Sequence, residues 1–158
     1  MKIGTATLLK LIVITIGIVV LLLCIFWLPG IARKAAVMNP SYAYLRYPVL
    51  LGLYITAIPF FLALYQTIKL LSYIHSKTAF SQVAVKSLKQ VMYCTISIII
   101  LYGIGICFLI SQDALHPGIA LVGFAIIFTS FIISLFTAIL QELFKSALVI
   151  KSENDLTV

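Results

Sequence analysis

The sequence predicts an all-α integral membrane protein, a four-helix bundle with both termini in the cytoplasm. Three observations predict it. First, four stretches carry no Lys, Arg, Asp or Glu: Leu11–Ala32 (22 residues), Tyr47–Ile68 (22), Gln90–Gln112 (23) and Ala114–Gln141 (28). About 20 apolar residues in a helix cross a bilayer core of about 30 Å. Second, hydrophobic residues make up 63% of the chain and charged ones 9%, against about 45–50% and about 25% in soluble domains. A soluble chain of this size buries only about 70% of its surface, so the surplus apolar surface must face lipid. Third, the basic residues sort by side. With the N-terminus inside, Lys2, Lys10, Lys69, Lys77, Lys86, Lys89, Lys145 and Lys151 are internal, and Arg33, Lys34 and Arg46 are external. An excess of Lys and Arg marks the cytoplasmic side.

The chain reads as one membrane domain, residues 1–158, with helices over about 8–28, 48–71, 82–110 and 118–150. The first run exceeds the roughly 7–15-residue apolar core of a signal peptide, so an uncleaved helix is expected despite Lys2, Lys10 and the small residues Gly30-Ile31-Ala32. Pro29-Gly30 is expected to end helix 1 at the outer interface, beside Trp27. A loop then runs to about Arg46, and Tyr42, Tyr44 and Tyr47 form an aromatic belt. Helix 2 holds Pro59, which donates no backbone hydrogen bond and frees the Ile55 carbonyl. A kink at Pro59 is predicted, with the Thr56 hydroxyl one turn away to help the disturbed backbone.

Between helices 2 and 3 lies the basic segment Lys69–Lys89, in which Ser76, Thr78 and Ser81 are candidate N-caps. Within it Ala84, Leu88, Val91 and Met92 share one helical face, while Gln82, Lys86, Lys89 and Gln90 lie on or near the other. This predicts a short amphipathic cytoplasmic segment at the interface before helix 3 descends. Helix 4 repeats small and hydroxyl residues (Gly123, Ala125, Thr129, Ser130, Ser134, Thr137, Ala138), the signature of close helix approach in membranes. The polar tail, 151–158, is expected to be disordered.

No catalytic constellation stands out. Ionisable groups inside a bilayer mark chemistry or transport, and none lies at mid-depth here. The four acids are Asp113, Glu142, Glu153 and Asp155, with no pair arranged for acid–base work. Cys24, Cys94 and Cys107 lie inside apolar runs without metal spacing and read as small hydrophobes. No metal, cofactor or catalytic residue is predicted. Asp113 and His116 make at most two ligands, too few for a metal site. The net charge of +7 is explained by helix-flanking lysines, so no direct nucleic-acid binding is expected. Lys69, Lys77, Lys86 and Lys89 are candidate contacts for lipid headgroups, at about 1 kcal/mol each. In the tail, Glu153, Asn154, Asp155, Leu156 and Val158 are candidate partner-binding residues, for example by carboxylate capture with β-strand addition.

The chain resembles the YoaS-like family of small bacterial four-helix membrane proteins, a domain of unknown function. The matching pieces are Tyr54-Ile55-Thr56-Ala57-Ile58-Pro59-Phe60-Phe61, Ala79-Phe80-Ser81 before Val85, Leu88 and Lys89, and Ser152-Glu153-Asn154-Asp155-Leu156-Thr157-Val158. The resemblance covers nearly the whole chain, and the tail is its most specific part. It implies a bacterial inner-membrane location and no established catalytic residues. It also implies a neighbouring small helix-turn-helix DNA-binding protein as a possible cytoplasmic partner. These readings together point to a non-enzymatic regulator or accessory subunit contacting the lipid bilayer and a cytoplasmic protein. The alternatives are an immunity protein, acting through the external Pro29–Pro48 loop against a membrane-active peptide, and a small transporter or channel subunit. The topology is directly testable. In a chain whose three cysteines are replaced by Ala, a membrane-impermeant maleimide added to intact cells should label Ser41→Cys and spare Ser152→Cys; the opposite pattern inverts the assignment.

Overall fold

The computed structural model describes residues 3–157, and the regular elements among them are helical. Lys2 and Val158 lie outside the described residues. Helix α1, Ile3–Leu22, passes through a π turn, Leu23–Trp27, into α2, Leu28–Met38. A 3-10 helix at Pro40–Leu45 leads into α3, Arg46–His75; α4 follows at Gln82–Ser111 and α5 at Pro117–Leu156. Four helical stretches are long and apolar enough to cross a membrane: Gly4–Met38, Pro40–His75, Gln82–Ser111 and Pro117–Leu156.

Packing follows chain order. α5 lies along α4 most extensively, α4 along α3 next, and α1 along α3 more lightly. The four spans therefore form an open row. The exposed surface is 10655 Å², whereas a compact soluble monomer of 17.4 kDa exposes roughly 7,800 Å². The excess is apolar: Leu11, Ile18, Leu51, Phe124, Phe128 and Phe136 are among many large side chains left outside. Lipid is the solvent that such a surface requires.

The tightest seam, α4 on α5, is built from small residues. Gly123, Ser130 and Thr137 recur every seventh position on the buried face of α5, and Gln141 extends it. α4, which packs against both α5 and α3, buries Ala84, Leu88, Val91, Thr95 and Ile98. A Cβ on Gly123 would stand 3.0 Å from Ile106 Cδ1, so glycine sets the approach of the two helices there. Without a hydrophobic driving force between helices in lipid, such close van der Waals contact is what holds them together. The first two turns of α4 also have two faces. Ala84, Leu88 and Val91 are buried, Met92 is half-buried, and Gln82, Lys86, Lys89 and Gln90 are exposed or half-exposed. These turns are continuous with the span.

Both helix–helix turns of the later spans end in Schellman motifs. Lys77 (φ 60°) and Asp113 (φ 52°) occupy the left-handed position. Thr78 N–H donates to Tyr73 O at 2.8 Å and Ala114 N–H to Leu109 O at 2.9 Å, satisfying terminal carbonyls. Ser81 is the N-cap of α4, its hydroxyl accepting from Ala84 N–H at 3.3 Å. Ser76 and Thr78, the other candidates, belong to the end of α3, where their hydroxyls bond each other and the Tyr73 carbonyl.

Several expected boundaries are corrected. Pro29-Gly30 does not end the first helix, which runs on to Met38. The reason is the π turn. Leu28 N–H reaches back to Leu23 O, bypassing Cys24 O, and Pro29 has no N–H to offer in its place. The Tyr54 hydroxyl of α3 donates to the stranded Cys24 carbonyl at 2.8 Å, so the bend costs no unsatisfied group at that carbonyl. The expected loop to Arg46 is largely helical, and α3 starts at Arg46 and ends at His75, beyond the predicted limits. Pro59 lies inside α3, as expected. The Thr56 hydroxyl serves Leu53 O at 2.7 Å, not the Ile55 carbonyl. The tail is not a loose end: α5 continues to Leu156 and Thr157 caps it.

Tyr54→Phe should lower thermal stability in detergent by about 0.6 kcal/mol, the usual value of a hydrogen bond between membrane helices. In a Pro29→Ala background the same change should cost almost nothing, because the substituted residue supplies an N–H to the bent segment. Equal losses in both backgrounds would show that the Tyr54 hydroxyl does not serve the bend.

Candidate functional site

Charged side chains gather at the two ends of the row. Between Arg46 and Lys69 the 22 uncharged residues of α3 rise about 33 Å, close to the thickness of the hydrocarbon core. Lys10 and Arg33 bracket α1 in the same way, and Lys89 and Asp113 bracket α4. Side-chain contacts tie each end together.

At the Arg46 end, Tyr42 hydroxyl donates to Asp113 O at 3.0 Å. Tyr44 hydroxyl donates to Gln112 Oε1, also at 3.0 Å. These bonds clamp the 3-10 helix onto the turn between α4 and α5. The tyrosines thus act as hydrogen-bonding struts as well as belt residues. Arg46 sits half-buried with its Cζ 5.0 Å from the Tyr47 ring. Its buried Nε has no hydrogen-bond partner. Arg33 and Lys34 project from α2 beside a shallow groove also lined by Gly30, Val37 and Met38. His116 caps α5: its Nδ1 accepts from Gly118 N–H at 3.0 Å. That bond commits the ring nitrogen nearest the turn to structure. Asp113 contributes its backbone carbonyl and its left-handed conformation to the turn.

At the other end, Lys69 is half-buried, and Lys77, Lys86 and Lys89 are exposed. Lys89 Nζ lies 5.7 Å from the Tyr93 ring. Phe80, before α4, meets Phe144 of α5 edge-on at 5.3 Å. This contact places the start of the α5 extension beside the lysine segment. Glu153, Asn154, Asp155 and Leu156 occupy the last turns of α5 and are all exposed, Leu156 at 84%. Thr157 hydroxyl donates to Asn154 O at 2.9 Å, which closes the helix. The tail is helical to Leu156, not an extended strand. Leu143, Ala147 and Ile150, at i, i+4 and i+7, form one stripe of this extension.

The middle of the row is chemically quiet. Hydroxyls within the spans turn back on their own helices: Thr15 to Leu11 O, Thr67 to Ala63 O, Thr95 to Met92 O, Ser97 to Tyr93 O and Thr137 to Ile133 O. This is the usual way hydroxyls are tolerated away from water. Ser130 and Thr137 are buried on one face of α5. The three cysteines are free thiols. Among the described residues no group of three His, Cys, Asp or Glu is placed to hold a metal ion. Sequence reasoning missed the Tyr54–Cys24 bond, the tyrosine clamp and the unpartnered Nε of Arg46. The available signal was a tyrosine at mid-span facing a helix with proline near its end.

Comparison with known proteins agrees with a membrane protein. A family model described as a protein of unknown function, DUF2975, matches residues 30–158. A Bacillus subtilis (strain 168) protein described as uncharacterized membrane protein YoaS is 48% identical over 152 residues, covering 95% of both chains. No solved structure matches the chain.

The clamp uses the backbone of Asp113, which allows its side chain to be tested separately. Asp113→Gly should raise stability by about 0.5–1 kcal/mol by relieving the left-handed conformation. Tyr42→Phe should lower it by about 0.6 kcal/mol. A loss in Asp113→Gly, measured by thermal unfolding in detergent, would assign the carboxylate a binding role at this rim.

Proposed function

The chain belongs to the DUF2975 family of unknown function, and from that premise we propose that this multi-pass membrane protein is a non-enzymatic regulator or accessory subunit. It binds a cytoplasmic protein partner through the α5 extension and the neighbouring Lys69–Lys89 segment, in the bacterial inner membrane with both termini inside. The observation that carries the proposal is the extension itself. α5 continues 15 residues past Gln141, about 22 Å at helical rise, and leaves Ile150, Glu153, Asp155 and Leu156 exposed.

An exposed helix ending in two acids and an apolar residue suits helix-in-groove recognition. The stripe Leu143–Ala147–Ile150 supplies the apolar anchors, and Glu153 and Asp155 favour a basic groove. A small helix-turn-helix protein is a partner of suitable charge. Two further points support a role without chemistry: acids and bases lie at the ends of the spans, and the hydroxyls of Thr15, Thr67, Thr95, Ser97 and Thr137 within them are engaged with their own backbone.

Affinity purification from native membranes in mild detergent should recover a stoichiometric soluble protein with the full chain. A chain truncated after Ile150 should lose that protein while retaining its four spans. Identical recovery by both chains would refute docking at the tail.

A further inference from the structure

At the opposite end the Arg46 guanidinium lies over the Tyr47 ring and has a second feature beside it. Arg46 opens α3, and its buried Nε lacks a partner. Immediately along the helix lies a groove of about 570 Å³ lined by Tyr47, Pro48, Leu50, Leu51 and Tyr54. The groove presents apolar surface, and the Tyr54 hydroxyl is already committed to Cys24 O. The hydroxyls of Tyr42 and Tyr44 are committed to the α4–α5 turn. The positions also have defined depths. With Arg46 and Lys69 bracketing about 33 Å of uncharged helix, Arg46 stands at headgroup level and the groove runs into the hydrocarbon.

An occupant must be anionic at one end and apolar at the other. We infer that Arg46 and the α3 groove form a binding site for one phospholipid with an anionic headgroup. The guanidinium takes the phosphate through its fork of N–H donors, and an acyl chain fills the groove along Tyr47, Leu51 and Tyr54. The headgroup preference follows from local charge. Arg33, Lys34 and Arg46 face a single carboxylate at this rim, Asp113. The ammonium of a zwitterionic lipid meets net repulsion there, and an anionic headgroup does not. The site is distinct from the lysines at the other end and stands whether or not α5 binds a partner. A soluble anion would satisfy Arg46 alone and leave the groove unused.

The test is native mass spectrometry of the full-length protein, delipidated in detergent and offered equal amounts of phosphatidylglycerol and phosphatidylethanolamine. The wild type should retain one phosphatidylglycerol with about fivefold preference, the factor that corresponds to about 1 kcal/mol for one basic residue near a lipid surface. Arg46→Gln should lose most of the bound lipid of either kind, and Arg33→Gln with Lys34→Gln, which leaves Arg46 in place, should keep a bound lipid and weaken the preference. Leu51→Trp, which fills the groove and leaves Arg46 in place, should lose the bound lipid itself, so the site remains testable if Arg46→Gln does not fold. Equal retention of the two lipids by the wild type would overturn the proposal. So would displacement of phosphatidylglycerol by millimolar inorganic phosphate, which would make this a soluble-anion site.

Discussion

In the hydrocarbon core no water is present to satisfy a backbone carbonyl or N–H, and this constraint governs the rest of the structure. It explains why regular structure here is helical. It also explains where irregularity is allowed. The π turn at Leu23–Trp27 strands the Cys24 carbonyl, and a tyrosine from the next span is placed to donate to it. A proline that would terminate a helix in water is thereby absorbed, and α1 and α2 remain one rod. The span hydroxyls follow the same rule by bonding carbonyls three or four residues back.

The same constraint sorts polarity by depth. Charges bracket the first three spans at separations close to the core thickness, and the two ends acquire different characters. One end is a rim held by Tyr42 and Tyr44, with Arg46 inside it. The other is a lysine-bearing segment joined to the α5 extension by Phe80 and Phe144. Packing in chain order connects them. The α4–α5 pair has the closest seam, because Gly123, Ser130 and Thr137 repeat at seven-residue intervals and bring the backbones together. α1 contributes least, and the most apolar windows of the first two spans bury no residue.

Much of this was legible in the sequence, since uncharged runs and lysine placement are strong, local signals. The four spans, the buried face at Ala84–Val91 and the packing role of Gly123 follow from periodicity and side-chain size. The limits of the helices did not. Pro29-Gly30 reads as a terminator because local propensity knows nothing of Tyr54, which lies 25 residues further along the chain. The tail reads as disordered because Lys151–Asp155 is polar, yet it continues a long helix and need not bear the cost of nucleation. The rim was read as a belt of aromatic side chains. Its hydrogen bonds join residues about 70 positions apart, and no pattern within one segment encodes such a pairing. Arg46 looked like a topology residue because its burial depends on how the 3-10 helix folds over α3.

The separation of the two polar ends constrains how the protein could transmit a signal. Among the described residues no Asp, Glu, Lys, Arg or His lies between them, so what joins the two ends through the spans is helix packing. The row offers one element suited to shift and one suited to hold. The α4–α5 pair, whose Gly123 already sits at the limit of approach to Ile106, resists sliding, because a well-packed seam forces neighbouring side chains off their rotamers when it moves. α1 touches α3 lightly and leads into the π turn, a bend held by the Tyr54 hydrogen bond. That bond ties α1 to α3 alone, away from the pair that carries the α5 extension. On these grounds the extension continues the best-packed part of the row, and the first span is the most lightly held.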